Sequence, residues 1–336
     1  MAIPLGNFVS TTTRQRFFNK AVDNVYTGNI LFNRLRGTAR PWSGGRQLTQ
    51  ALIVSNRTQA GSFSSFDTLP TSQEDVRQMT TVDPCEYTSD PITFSGIQLA
   101  VNKGPEAFLD ALATEFTDVA RNLSEAIGAD LYQDGTGNSS KDINGLVYHV
   151  DDATNVATWQ GLSRNTYTNL RSLLTAQSGA FSFTNLATDT DAATRGMDTP
   201  TVMVTTPAIY SIIERLVTPT LYLNYNGPRG SNVAPGSGNG GTALNYGTTS
   251  ITWRGIPIIA DEMCPAGNLF TLNENHLHLY QLDYTSEIAE MSKEGFAFTG
   301  FKKSQNQAAV TGQLLFAGQL WGDAPRTHAR RTGITS

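Results

Sequence analysis

The chain has 336 residues, of which 39% are hydrophobic and only 16% charged, and it carries a formal charge of −5, long enough to bury a sizeable core and to divide into two lobes. It contains no run of 18 apolar residues, and residues 1–10 lack the charged start and apolar stretch of a secretory signal, so membrane insertion and secretion are not expected. Cys85 and Cys264 stand far apart without CxxC spacing, which argues against a disulfide framework or a zinc knuckle.

Charge collects at the two ends. Residues 1–40 carry Arg14, Arg16, Lys20, Arg34, Arg36 and Arg40 against Asp23, a balance of +5, and residues 302–336 balance at +4, which leaves −14 between them. The first forty residues mix Phe8, Phe17, Phe18, Tyr26, Ile30, Leu31 and Phe32 with polar positions, as expected of an arm with short helices that needs a partner surface. Residues 46–58 alternate well enough for a strand, residues 92–101 form a second, and the two are expected to pair as a long flap lying on another molecule. From 105 to 131, Phe108, Leu112, Phe116, Val119, Leu123, Ile127 and Leu131 recur at spacings of three and four, the pattern of an amphipathic helix, and its acids Glu115, Asp118, Glu125 and Asp130 fall mainly on the opposite face. Residues 199–204 read as a buried strand feeding a helix capped by Thr206 with Pro207 in its first turn. Residues 226–249 are loop chemistry. Strands follow at 251–261, 268–272, 276–282 and 309–321.

Catalytic patterns are mostly absent, since the chain holds no GxSxG, HExxH or GxxxxGK[ST]. Residues 236–241 (GSGNGG) satisfy GxGxxG, but a Pro-containing loop precedes them and a strand follows, so no helix N-terminus would meet a pyrophosphate. His276 and His278 share a strand face but lack convergent further ligands, so a structural pair is expected instead of a metal site. Asp261 and Glu262 are consecutive strand residues that point to opposite faces, which suits a solvated edge or a salt bridge better than an acid/base pair. Cys264 sits in turn chemistry without a nearby His. No catalytic residue, cofactor or metal is therefore assigned.

The order of basic arm, extended flap, long helix, Gly-rich turn, α/β lobe and terminal strand resembles the major capsid protein of tailed bacteriophages with the HK97-type fold. Residues 131–146 (LYQDGTGNSSKDINGL), 200–214 (PTVMVTTPAIYSIIE) and 253–272 (WRGIPIIADEMCPAGNLFTL) carry the likeness. The resemblance implies an α+β fold with an N-terminal arm at 1–40, an extended E-loop with adjoining strands at 41–100, a P-domain with its spine helix at 101–144, an A-domain at 145–275, and a return to the P-domain with a C-terminal tail at 276–336. It implies a non-enzymatic shell subunit forming hexamers and pentamers around double-stranded DNA in a virion assembled in a bacterial cytoplasm. The implied partners are a portal protein at one vertex, a scaffolding protein and a decoration protein. The family's founding member crosslinks its subunits through a flap lysine and an asparagine. Here no Lys lies between Lys20 and Lys103, so that isopeptide is not expected. If Met1 begins the mature product, the lack of a long charged leader there makes a separate scaffolding protein the expectation. Arg14, Arg16 and Lys20 face either packaged DNA or acidic neighbouring subunits, with neighbour contacts favoured by the −14 body. Two alternatives stand beside this reading: an encapsulin-like compartment of the same fold, and a carbohydrate-binding or carbohydrate-active β protein suggested by Trp42, Trp159, Trp253 and the eleven Tyr but lacking a carboxylate pair.

Overall fold

The computed structural model describes residues 29–55, 57, 60–69, 71, 76–97, 111–223, 251–282, 284, 291–293, 295–303 and 308–335. Two six-stranded sheets organise them, together with four helices longer than one turn: α1 (Ile30–Gly37), α2 (Ala111–Asp130), α3 (Phe183–Ala193) and α4 (Pro207–Leu223).

The first sheet is built on the long strand Leu314–Gly322, which pairs antiparallel with Leu277–Leu282, Phe296–Phe298 and Cys85–Thr88. Arg40–Trp42 extends it at one edge and Met291–Lys293 at the other. Helix α2 lies against this sheet because Val119, Leu123 and Ile127, followed by Leu131, bring an apolar stripe to one side. Phe116 of the same stripe meets Phe298 edge-on, with ring centroids 5.4 Å apart. The predicted helix agrees over 111–130; residues 98–110 lie outside the described part of the chain.

The second sheet runs in the order Thr252–Trp253, Ile256–Ala260, Val202–Thr205, Leu269–Leu272, Ala329–Thr335, Leu173–Ala180. Val202–Thr205 and Leu269–Leu272 are buried at every position, as central strands covered on both faces require. Ile256–Ala260 runs parallel to Val202–Thr205, and the crossover between them contains α4. Its start is as predicted: Pro207 opens the helix, and the Ile209 N–H donates to Thr206 Oγ1 at 3.3 Å. One face of this sheet packs Met203, Ile258 and Leu269 under Leu186 of α3 and Ile209 and Ile213 of α4. The other presents Val202, Val204, Phe270 and Leu272 to the same core that holds α1, α2 and the first sheet. The chain is thus α+β, with one apolar core continuous across both sheets.

Two expectations are corrected. Leu48–Ile53 does not pair with the strand at 92–101. Its partner is Arg77–Val82, while Ile92–Ser95 pairs with Ala309–Gly312. The strand expected over 309–321 is two, Ala309–Gly312 and Leu314–Gly322, which serve different sheets. Ala329–Thr335 inserts into the second sheet, antiparallel to Leu269–Leu272 and parallel to Leu173–Ala180. A bidentate contact of Arg331 with Asp189 on α3, at 2.6 Å for each bond, fixes that insertion in a buried position. Arg330 stacks over the Phe270 ring at 5.4 Å. The basic C-terminal stretch is therefore in part structural.

Candidate assembly surfaces

The flap begins from a two-stranded hairpin with six paired positions, Leu48 opposite Val82 through Ile53 opposite Arg77. Cross-strand partners share a face, so Leu48, Gln50, Leu52 and Val54 lie with Val82, Thr80, Gln78 and Val76 on one side. That side rests on this chain's own segment 148–170. Val54 and Leu52 pack with Trp159, Leu162, Leu170, Tyr148 and Tyr167. The Thr81 N–H donates to Gln160 O at 3.0 Å, Asn169 Nδ2 to Val54 O at 3.1 Å, and Trp321 Nε1 to Gln50 Oε1 at 3.0 Å. The expectation that the flap is covered only by another molecule is thus corrected for its inner face.

What builds that platform was not visible as a motif. Arg164 is fully buried and spends its guanidinium on backbone carbonyls: Nε on Leu170 O, Nη1 on Val156 O, and Nη2 on Tyr148 O and His149 O, all at 2.8–3.1 Å. Burial pushes it down to about 10, still charged at neutral pH. Asp151 collects the backbone N–H groups of Ala153 and Val156 at 2.9 Å, tightening the same loop. Trp159, fully buried, donates from Nε1 to His149 Nδ1 at 3.1 Å.

The outer face and tip are bare. Ile53 and Met79 are each 65% exposed, and beyond them Phe63 is 65%, Phe66 100% and Leu69 53% exposed. Fully covering an aliphatic or aromatic side chain is worth about 1.5–3 kcal/mol. Five such residues on one projection therefore offer on the order of 5–10 kcal/mol to a surface that closes over them, before the cost of association. Apolar exposure concentrated this way marks an interaction surface more than a solvated loop.

The sites considered for chemistry separate. His276 Nε2 faces Asp198 at 3.4 Å and His278 Nε2 faces Asp323 at 3.4 Å, so the two imidazoles serve different carboxylates. Among the described residues no group of three His, Cys, Asp or Glu is placed to hold a metal ion. Asp261 is not a solvated edge: it is buried, accepting from the Tyr132 hydroxyl at 2.8 Å, the Leu31 N–H at 3.3 Å and the Met263 N–H at 3.0 Å. Glu262 is exposed. Burial pushes the Cys85 and Cys264 thiols up to about 12, which makes them poor nucleophiles. Arg14, Arg16, Lys20 and the Gly-rich residues 236–241 lie outside the described residues.

The sequence matches no protein-family model and no curated protein. The folded chain does have structural neighbours. It aligns with the capsid asymmetric unit of cyanophage A-1(L) at a TM-score of 0.69 and 14% identity, covering 98% of this chain and 99% of that one. The SrpI encapsulin of Synechococcus elongatus aligns at 0.61 and 12%, covering 99% and 96%, and the capsid of a native GTA particle at 0.61 and 10%, covering 100% of both. At such identities the likeness defines the fold. The described residues have the HK97-type fold that these neighbours share.

Proposed function

We propose that this chain is the major shell subunit of an icosahedral phage head, assembling as hexamers and pentamers around double-stranded DNA in a virion put together in the host bacterial cytoplasm. The observation that carries the reading is the pairing of an HK97-type fold over 98–100% of the chain with a flap whose tip presents Phe63, Phe66 and Leu69 to solvent. A lone subunit gains nothing from that tip. A neighbour that covers it gains several kcal/mol per contact, and repetition around a closed shell multiplies many moderate contacts into a durable container. In this reading residues 1–40 are the arm, the flap of 41–100 is the E-loop, 101–144 with α2 is the P-domain, and 145–275 is the A-domain, joined by Ala329–Thr335. Arg14, Arg16 and Lys20 bridge to acidic neighbours. A separate scaffolding protein, a portal protein at one vertex and a decoration protein complete the partners. The work is geometric and needs no catalytic step.

Electron microscopy of the purified chain, alone and with proteins encoded beside it, tests this: closed shells of five- and six-fold rings are expected, and a stable monomer under every condition refutes it. The encapsulin neighbour supports a second reading, a compartment around protein cargo. Particles from the native source distinguish the two, since nuclease-protected double-stranded DNA fits the head and its absence with co-purifying protein fits the compartment.

A further inference from the structure

We infer that helix α1 is a strut that sets the angle between the two sheets, held at one end by Asp261 and along its length by the Arg34–Glu274 pair. The helix touches both sheets. On the side of the first, Phe32 meets Phe296 and Phe316 edge-on, with ring centroids 6.4 Å away in each case, and the Arg36 guanidinium lies 4.9 Å over the Phe296 ring. On the side of the second, the Leu31 N–H at the start of the helix donates to Asp261, the residue that follows strand Ile256–Ala260. Arg34 then grips Glu274 with two parallel bonds, Nε to Oε1 at 2.9 Å and Nη2 to Oε2 at 2.7 Å. Glu274 belongs to the four-residue link between Leu269–Leu272 of the second sheet and Leu277–Leu282 of the first. It is anchored in turn by Thr201, whose hydroxyl donates to Oε2 at 3.1 Å and accepts from the Glu274 N–H at 2.9 Å.

The base of the strut is seated closely. Asn29 caps the helix by accepting from the Phe32 N–H at 2.9 Å, and its side chain occupies the space where a Cβ on Gly128 of α2 would stand. Leu31, Phe32 and Leu35 are all buried in the core that runs from one sheet to the other. A short link between two sheets that share a core permits small rocking motions, and a packed interface of this kind settles into discrete arrangements. Polar contacts that reach from one helix to both sides select among them. Directional bonds from a rigid guanidinium fork suit that task better than greasy packing, which tolerates sliding.

The strut is tested on the unassembled chain. Spin labels on Thr88→Cys in the first sheet and Thr188→Cys on α3 report the separation of the two sheets, and the native thiols do not interfere because Cys85 and Cys264 are buried. Glu274→Gln removes the charged partner while leaving an acceptor for Thr201. It is expected to shift or broaden the label distance without loss of helical circular dichroism. An unchanged distance distribution in Glu274→Gln overturns the proposal. If that variant gives no folded protein, Arg34→Lys, which keeps the charge and loses the paired geometry, is read in the same way. A shell readout rests on the capsid reading: particles of Glu274→Gln are expected to shift in diameter, and identical diameters count against the strut. Failure of the unsubstituted chain to assemble, both alone and with the proteins encoded beside it, refutes the capsid reading and leaves the label distances to decide on the strut.

Discussion

Two imidazoles make the folded chain sensitive to mild acid. His149 and His328 are both completely enclosed. Each has a fixed neutral tautomer: His149 accepts at Nδ1 from Trp159 and so donates from Nε2 to Leu320 O at 3.2 Å, while His328 accepts at Nδ1 from the Asn273 N–H at 3.2 Å. Burial, reinforced by Arg164 in the case of His149 and by His276 in the case of His328, pushes each down to about 3 from an ordinary 6.5. Between those values the unfolded chain binds protons that the folded chain refuses. The stability they contribute is nearly complete at pH 7 and is lost as pH falls through 6.5 toward 3. Integrated from pH 7 to pH 5, each imidazole costs about 2 kcal/mol, and the pair about 4 kcal/mol. That is a large part of the 5–15 kcal/mol typical of a folded chain. Urea unfolding of the unassembled subunit at the two pH values measures the difference. Replacing both residues with Gln, which hydrogen-bonds but does not titrate here, is expected to flatten the pH dependence whatever it does to absolute stability. Equal stability at pH 5 and 7, or an imidazole resonance titrating near 6.5 in the folded chain, would refute the reasoning.

Other substitutions probe separate features. Asp189→Ala strands the buried Arg331 guanidinium and is expected to destabilise the subunit by about 3–5 kcal/mol, read as a lower urea midpoint at unchanged slope. Phe66→Ser at the fully exposed flap tip is expected to leave the subunit's unfolding within about 0.5 kcal/mol while impairing shell formation; normal assembly would show that the tip is not an interface. Charge reversal of Arg14, Arg16 and Lys20 is expected to impair assembly, whereas intact shells that lose their genome would assign those residues to DNA. Mature particles run on a fully denaturing gel are expected to give a single monomer band, because the flap holds no lysine, and a covalent ladder would contradict this.

Regular apolar spacing made some elements legible and its absence hid others. Val119, Leu123 and Ile127 on α2, and the strand-to-helix step at Thr206 and Pro207, announce themselves because one face is greasy or the cap chemistry is local. The strand Arg77–Val82 (RQMTTV) escaped notice because its outer face stays wet and its inner face meets a small platform, not the main core. Helix α3 (FTNLATDTDAA) is rich in Thr and Asp, and it lies against the sheet through few apolar side chains. Arg330 and Arg331 read as tail charges, since nothing local reveals that Asp189 and Phe270, far away in sequence, receive them. The burial of Asp261 is illegible for the same reason: its partners Leu31 and Tyr132 stand 230 and 129 positions away. Of the flap, the first strand and the lack of lysine were readable. Which of its faces its own chain would cover was not, because that depends on a Trp159 platform held by a buried arginine.

The placement of Ala329–Thr335 inside the second sheet has a consequence for synthesis. A nascent chain that has emerged only as far as residue 300 holds Leu269–Leu272 and Leu173–Ala180 with the seat between them vacant. Such a fragment keeps raw backbone edges and lacks the cation that neutralises Asp189. A polypeptide that stops short of Ala329–Thr335 therefore leaves the second sheet open at its middle and a buried carboxylate without its counter-charge.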